Sequence, residues 1–198
     1  MTTAPRTRLT PDGRRSQLLD LGVRLFARRP LHEVSIDLLA EKAGISRGLL
    51  YHYFGNLVGF QEAVVRRAAA DLVARTAPPA EGTAVERLLA SVGAYVEFVD
   101  ENYEGYLSLV AGAKSGNETM RRVYDEARAA LTDRIFESDT DNLVPDTPAA
   151  RLLVRGWSAL AEEMVLAWKD TPADDRIARD ELLAAITGAL PALVTALP

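Results

Sequence analysis

The chain has 198 residues and no cysteine, so neither a disulfide nor a thiolate metal site is open to it. Histidine is almost as scarce: His32 and His52 alone leave too few imidazoles for the usual transition-metal sites. No apolar run reaches the roughly 18 to 20 residues that a bilayer crossing needs. The opening stretch MTTAPRTRLTPDGRR lacks the apolar segment of a secretory signal, so a cytoplasmic location is expected. The strict apolar-polar alternation of a strand occurs nowhere, nor does an internal repeat. Catalytic signatures are missing as well. There is no G-x-S-x-G, no phosphate-binding glycine loop and no H-E-x-x-H, and the pair Glu162-Glu163 lacks the following histidine that a di-metal carboxylate bundle uses. Those glutamates are expected on a solvated surface or at an interface. No enzyme, cofactor or metal is expected.

What is present is helical. Hydrophobic residues make up 48% of the chain, enough for one or two compact units with a core. Thr10 with Pro11 starts a first helix whose inward stripe is Leu18, Leu21, Gly22, Leu25 and Phe26, and Pro30 closes it. Residues 1–9, with Arg6 and Arg8, read as a mobile arm. A long helix over about 57–76 stops at Pro78-Pro79. Thr83 to Glu86 has capping-box spacing, followed by the apolar face Val85, Leu88, Val92, Tyr95 and Val99. A shorter helix over 103–113 is expected to be broken by Gly105. Asn117 caps the next, and the acidic stretch ESDTDNLVPDTP is a loop. Thr147 with Pro148 begins an eighth helix with the stripe Leu153, Trp157, Leu160, Met164 and Trp168. A ninth, over about 177–197, carries Leu182, Leu183, Ile186, Leu190 and Val194, with Gly188 and Pro191 bending it.

Charge is unevenly spread. Residues 1–76 hold 12 lysines and arginines against 7 acidic residues, and residues 77–198 hold 11 against 21. A basic front on an acidic remainder suits a chain whose first part meets phosphates.

The stretch SIDLLAEKAGISRGLLYHYF, residues 35–54, gives that first part its chemistry. Ser35 caps a short helix with Asp37 in its first turn and Ile36, Leu39, Ala40 and Ala43 on one face. Gly44 ends it, Ile45 drops into the core, and Ser46 caps a second helix that turns Leu49, Leu50 and Phe54 inward. This is a helix-turn-helix, whose second helix can enter the DNA major groove. Arg47 is the natural base reader, Gly48 lets the backbone come close, and the hydroxyls of Ser35, Ser46, Tyr51 and Tyr53 can position the protein on phosphates.

The run AGISRGLLYHYF, with the Ser-capped helix and the amphipathic helix ending in LFARRP before it, resembles the tetracycline-repressor (TetR) family of bacterial transcription regulators. The resemblance is close over roughly the first quarter of the chain. It implies that the positions of Arg47, Gly48 and Leu49 approach bases, while those of Ser35, Ser46, Tyr51, His52 and Tyr53 meet phosphates or neighbouring bases. It also implies about nine helices: a three-helix DNA-binding head, taken here as residues 1–56, and a body of residues 57–198 that binds an effector and dimerises. One position departs. The family usually has a phosphate-reaching lysine at the start of the fourth helix, where this chain has Leu57 followed by Val58.

The body adds candidates of its own. Val92, Tyr95, Tyr103, Tyr106, Leu107, Tyr124 and Trp157 are candidate lining for a small apolar pocket, although aromatics at helical spacing also simply pack. The eighth and ninth helices offer Leu153, Trp157, Leu160, Met164, Ile186, Leu190 and Val194 to a second copy, two helices from each making a four-helix bundle. The expected function is a ligand-responsive repressor. It would bind a near-palindromic operator as a homodimer and leave it when a small hydrophobic effector binds. An all-α ligand-binding or scaffold protein that has lost operator binding stays open as the alternative, on account of Leu57.

Overall fold

Nine α-helices form the described residues, 10–139 and 143–196, of the computed structural model: α1 Pro11–Phe26, α2 Ile36–Ala43, α3 Arg47–Phe54, α4 Leu57–Arg75, α5 Ala84–Glu101, α6 Tyr103–Lys114, α7 Glu118–Glu137, α8 Pro148–Asp170 and α9 Arg179–Val194. No strand occurs among those residues, and the chain is all-α as its patterning predicts. No helix among them is long and apolar enough to cross a membrane. The expected arm at 1–9 lies outside the described residues, as do 140–142 of the acidic loop and the far end of the last helix.

The helix starts follow local chemistry. The hydroxyls of Thr10, Ser35, Ser46 and Thr147 each accept from the backbone N–H three residues on, at 3.1, 3.2, 3.3 and 3.2 Å. The side-chain oxygen of Asn117 does the same for Met120 at 3.0 Å. Thr83 and Glu86 cap each other reciprocally, at 3.3 Å one way and 2.8 Å the other. Each cap satisfies a backbone donor that the helix itself leaves without a partner.

Two compact units result, one of residues up to 68 together with 102–121, the other of 69–101 together with 122 onward. The division expected at 56/57 differs from this one, which falls between residues 68 and 69, inside α4. In the first unit, α1 to α4 surround a core in which Val34, Leu39, Leu50, Phe60 and Val64 are at most 1% exposed. Each such side chain contributes roughly 1.5 to 3 kcal/mol by leaving water. A Cβ on Gly22 would lie 2.4 Å from Val64 and 2.7 Å from Phe60, so only a glycine lets α1 and α4 pack this closely. Leu57, expected at an exposed helix start, instead packs half-buried against this core, and only Val58 stays out at 59% exposure. α6 belongs to the same unit. Gly105 does not break it: a Cβ there would come to 3.1 Å from the carbonyl oxygen of Phe26, so the glycine permits close approach to the end of α1. The Leu31 N–H donates to Ser108 Oγ at 3.2 Å, and Gln61 Nε2 donates to the Leu31 carbonyl at 3.1 Å.

The second unit is built on α8 and α9 with α5 beside them. The buried stripe of α8 is Ala150, Val154, Trp157, Ala161 and Val165, offset from the one expected; of the expected set only Trp157 is buried and Leu160 is 43% exposed. The indole N–H of Trp157 donates to the Ile186 carbonyl at 2.8 Å, tying α8 to α9. Along α5 the inward residues are Val92, Val96, Phe98 and Val99, while Val85, expected on that face, is 59% exposed at the helix start.

Candidate nucleic-acid interface

α2 and α3 owe their relation to four residues. Gly44 adopts φ 63°, the left-handed conformation that stops α2, and the Ile45 N–H returns to the Ala40 carbonyl at 3.1 Å. Ile45 packs against the core and Ser46 starts α3 immediately. α3 then buries Leu50 completely and seats Phe54 by an edge-to-face contact with Phe60, centroids 4.9 Å apart at 85°. Arg15 of α1 lies over the Phe54 ring at 5.2 Å, and Arg67 of α4 pairs with Asp20 of α1 at 3.0 Å. α3 is thus held on its inner face through Leu50 and Phe54.

Its outer face is free for other work. Ser35, Ser46, Arg47, Gly48, Tyr51 and His52 are all exposed, and Leu49 and Tyr53 are half-buried. Tyr51 leaves 48% of its surface in water, an unusual setting for so large a ring. His52 and Tyr53 meet edge-on at 5.5 Å. Gly48 differs from Gly22 and Gly105: around its missing Cβ the nearest atom is Ser46 Oγ, at 3.9 Å, and beyond it there is open space. Among the described residues, no neighbouring atom requires a glycine there. The guanidinium of Arg47 is paired through Nε with the carboxylate of Asp37. Asp37 had only a helix-start role in the sequence; the turn at Gly44 is what makes it a neighbour of Arg47.

Residues 18–58 match the family model described as bacterial regulatory proteins of the tetR family, and residues 84–189 match the tetracyclin repressor-like C-terminal domain. The chain belongs to the TetR family. A tetR-family transcriptional regulator from Streptomyces coelicolor is similar at 38% identity, covering 93% of this chain and 82% of that one, with a TM-score of 0.83. The HTH-type transcriptional activator FasR of Mycolicibacterium smegmatis is 27% identical over 171 residues, 84% of this chain and 78% of its own. A transcriptional regulator from Saccharomonospora viridis, solved in complex with choline, shares the fold at 18% identity and a TM-score of 0.70. This TetR-family chain is therefore a transcriptional regulator with a helix-turn-helix DNA-binding domain, and not an enzyme.

The body candidates separate. Tyr103, Tyr106 and Leu107 lie on α6 in the first unit, and Val92, Tyr95, Tyr124 and Trp157 lie in the second. In the second unit Tyr124 belongs to a polar cluster. Its hydroxyl donates to the Glu162 carboxylate at 3.0 Å and accepts from Arg128 Nη1 at 2.8 Å, while Arg128 also donates to Ser158 Oγ at 3.0 Å and the Arg155 carbonyl at 2.9 Å. Burial, then the nearby Glu162 charge, push the Tyr124 phenol up to about 12. Glu162, expected on a solvated surface or at an interface, is a half-buried acceptor in this cluster, and Glu163 is exposed.

Three of the residues expected at a dimer surface need correction. Trp157, Ile186 and Leu190 are 6%, 0% and 3% exposed, because α8 and α9 of one chain use them on each other. Leu153, Met164 and Val194 are half-buried, and Leu160 faces out. Periodicity missed the face that does point outward: Leu152, 73% exposed, with Gly156 and Ala159 on α8, and Ala185, Gly188 and Ala192 on α9. The signal was present as small residues at spacings of four and three, a pattern that lets helices approach closely.

Proposed function

We propose that this regulator is a ligand-responsive repressor that binds a near-palindromic operator as a homodimer, reading bases through α3. The observation that carries the DNA part is the outer face of α3, where Arg47, Gly48, Tyr51 and His52 are exposed on a helix whose whole inner face is spent on packing. Arg47 supplies the fork for a guanine, and Gly48 removes the one side chain that would keep the helix backbone off the base edges. Ser35, Ser46, Tyr51 and Tyr53 meet phosphates, which set register without reading sequence. Leu57 removes a family phosphate contact but not these, which favours operator binding over its loss.

The exposed small-residue face of α8 and α9 supports the dimer, with Leu152, Leu160 and Leu193 as its apolar contacts. Two heads then meet half-sites roughly 34 to 36 Å apart, or farther if the half-sites are wider spaced. The effector is a small hydrophobic molecule held in the body beside Val92, Tyr95 and Tyr124. α4, continuous from the helix-turn-helix into the second unit, carries its effect to the head. A preference of about 1 to 3 kcal/mol for one head spacing is enough to change operator affinity measurably. A regulator of this kind works in the cytoplasm.

The test starts from full-length protein and a pool of randomised duplexes. Recovery of a two-fold symmetric site, bound by a species that sediments as a dimer and released in a screen of apolar small molecules, is the expected result. Binding equal for all duplexes, or a monomer at micromolar concentration, overturns it.

A further inference from the structure

We infer that Asp37 is a positioning residue for base reading: its carboxylate holds Arg47 so that the two terminal nitrogens of the guanidinium face the DNA. The inference rests on α3 being the base-reading helix. Asp37 is in the first turn of α2 and Arg47 is the first residue of α3, and the left-handed turn at Gly44 brings their side chains together. Asp37 Oδ1 pairs with Arg47 Nε, the inner edge of the guanidinium. A planar guanidinium bound on its Nε edge keeps the N–H groups of Nη1 and Nη2 for a second partner, and a guanine presents O6 and N7 at matching spacing.

The pair does little for the fold. The two side chains are 68% and 62% exposed, and an ion pair so open to water adds little to stability. Its effect lies instead in what Arg47 can do. A free arginine carries considerable rotamer entropy, and a long exposed side chain can as easily swing to the nearest phosphate as to a base. Pairing with Asp37 restrains it in one place and offsets part of its charge toward phosphate. The carboxylate also repels any arrangement that would put phosphate oxygens or base acceptors against it without Arg47 between. Both effects lower binding to arbitrary DNA relative to binding at a guanine that meets the fork. Asp37 therefore acts on specificity through Arg47 and touches no base.

The test uses full-length protein and the site recovered from randomised duplexes, with every base substituted singly. Arg47→Ala identifies the position that Arg47 reads, with a loss of preference there of roughly five-fold or more. At that same position Asp37→Asn is expected to flatten the preference at least three-fold, while affinity for unrelated duplex stays level or rises and thermal unfolding is unchanged. Asp37→Glu is expected to restore part of the preference, since a longer carboxylate still reaches Nε. If Asp37→Asn weakens or strengthens all duplexes alike with preference intact, the positioning role is overturned while α3 remains the reader. If Arg47→Ala itself leaves every preference unchanged, the base-reading assignment falls, and the role of Asp37 falls with it.

Discussion

The helix pairs α2–α3 and α8–α9 are both tight and both carry apolar stripes, yet they spend their side chains in opposite ways. In α3 the inner residue Leu50 and the outer residues Arg47, Gly48 and Tyr51 do not compete, so packing and the exposed polar groups sit on separate faces. In α8 the largest apolar residues divide between two apolar faces. Trp157 closes on α9 of the same chain and Val154 is buried, while Leu152 and Leu160 are left outside. A polar outer face reveals itself by chemistry, whereas two apolar faces on one helix differ only in what covers them. Charge follows the same division, with the basic excess in residues 1–76 and the acidic excess after it.

The largest expected effect breaks the α8–α9 pair from within. Ile186 is wholly buried, so Ile186→Ala should cost about 2 to 5 kcal/mol in chemical denaturation through the lost contacts and the cavity left behind. Leu152→Ala, at a site 73% exposed, should leave the stability of the separated chain within about 0.5 kcal/mol and act on dimer dissociation measured by sedimentation. Equal stability losses in the two variants at concentrations where the chain is monomeric would show that the faces are not distinct. On the α3 side, Arg47→Ala should remove about 1 to 3 kcal/mol of affinity for the selected site and relax preference at one base, with no change in melting temperature. A fall in stability of that size would place Arg47 in the fold rather than at the DNA.

Much of this could be read from the chain, and the limit has a physical form. Every cap that the sequence announces, at Thr10, Ser35, Ser46, Thr83, Asn117 and Thr147, is a bond across three residues and needs no knowledge of the rest of the molecule. Gly44 was legible for the same reason. Gly105 was not, because its partner is the Phe26 carbonyl on another helix, and the inward stripe of α8 was displaced because it depends on where Ile186 lies. At the candidate site, spacing put Arg47, Gly48 and Tyr51 on the outside of α3, where they are exposed, whereas His52 joined the candidates only through the family resemblance. The Asp37–Arg47 pair did not, since it needs the direction in which the turn at Gly44 sends α3.

Smaller effects sharpen the same contrast within α3. Ser46→Ala removes the side-chain acceptor of the Leu49 N–H, which should cost about 1 kcal/mol of stability in urea titration. With Ser46 on phosphate, as proposed, affinity for all duplexes should drop together with no change in base preference. A variant that loses preference at one base but not stability would give Ser46 a reading role instead.

The smallest change is the most discriminating, because its two readouts should move in opposite directions. Gly48 lies within a helix, where glycine is a poor residue, and the space beside it is open. Gly48→Ala should therefore stabilise the free protein by roughly 0.5 to 1 kcal/mol, since alanine loses less backbone freedom on entering a helix and meets no neighbour. At Gly22 the same substitution would drive a methyl into Val64 and Phe60 and destabilise instead. The gain at Gly48 comes with a methyl group projecting from the face that meets the bases, next to Arg47. Operator affinity should fall, while the melting temperature rises. A stabilised variant with unchanged operator affinity would mean that DNA never approaches this part of α3, and base reading by its first turn would have to be abandoned.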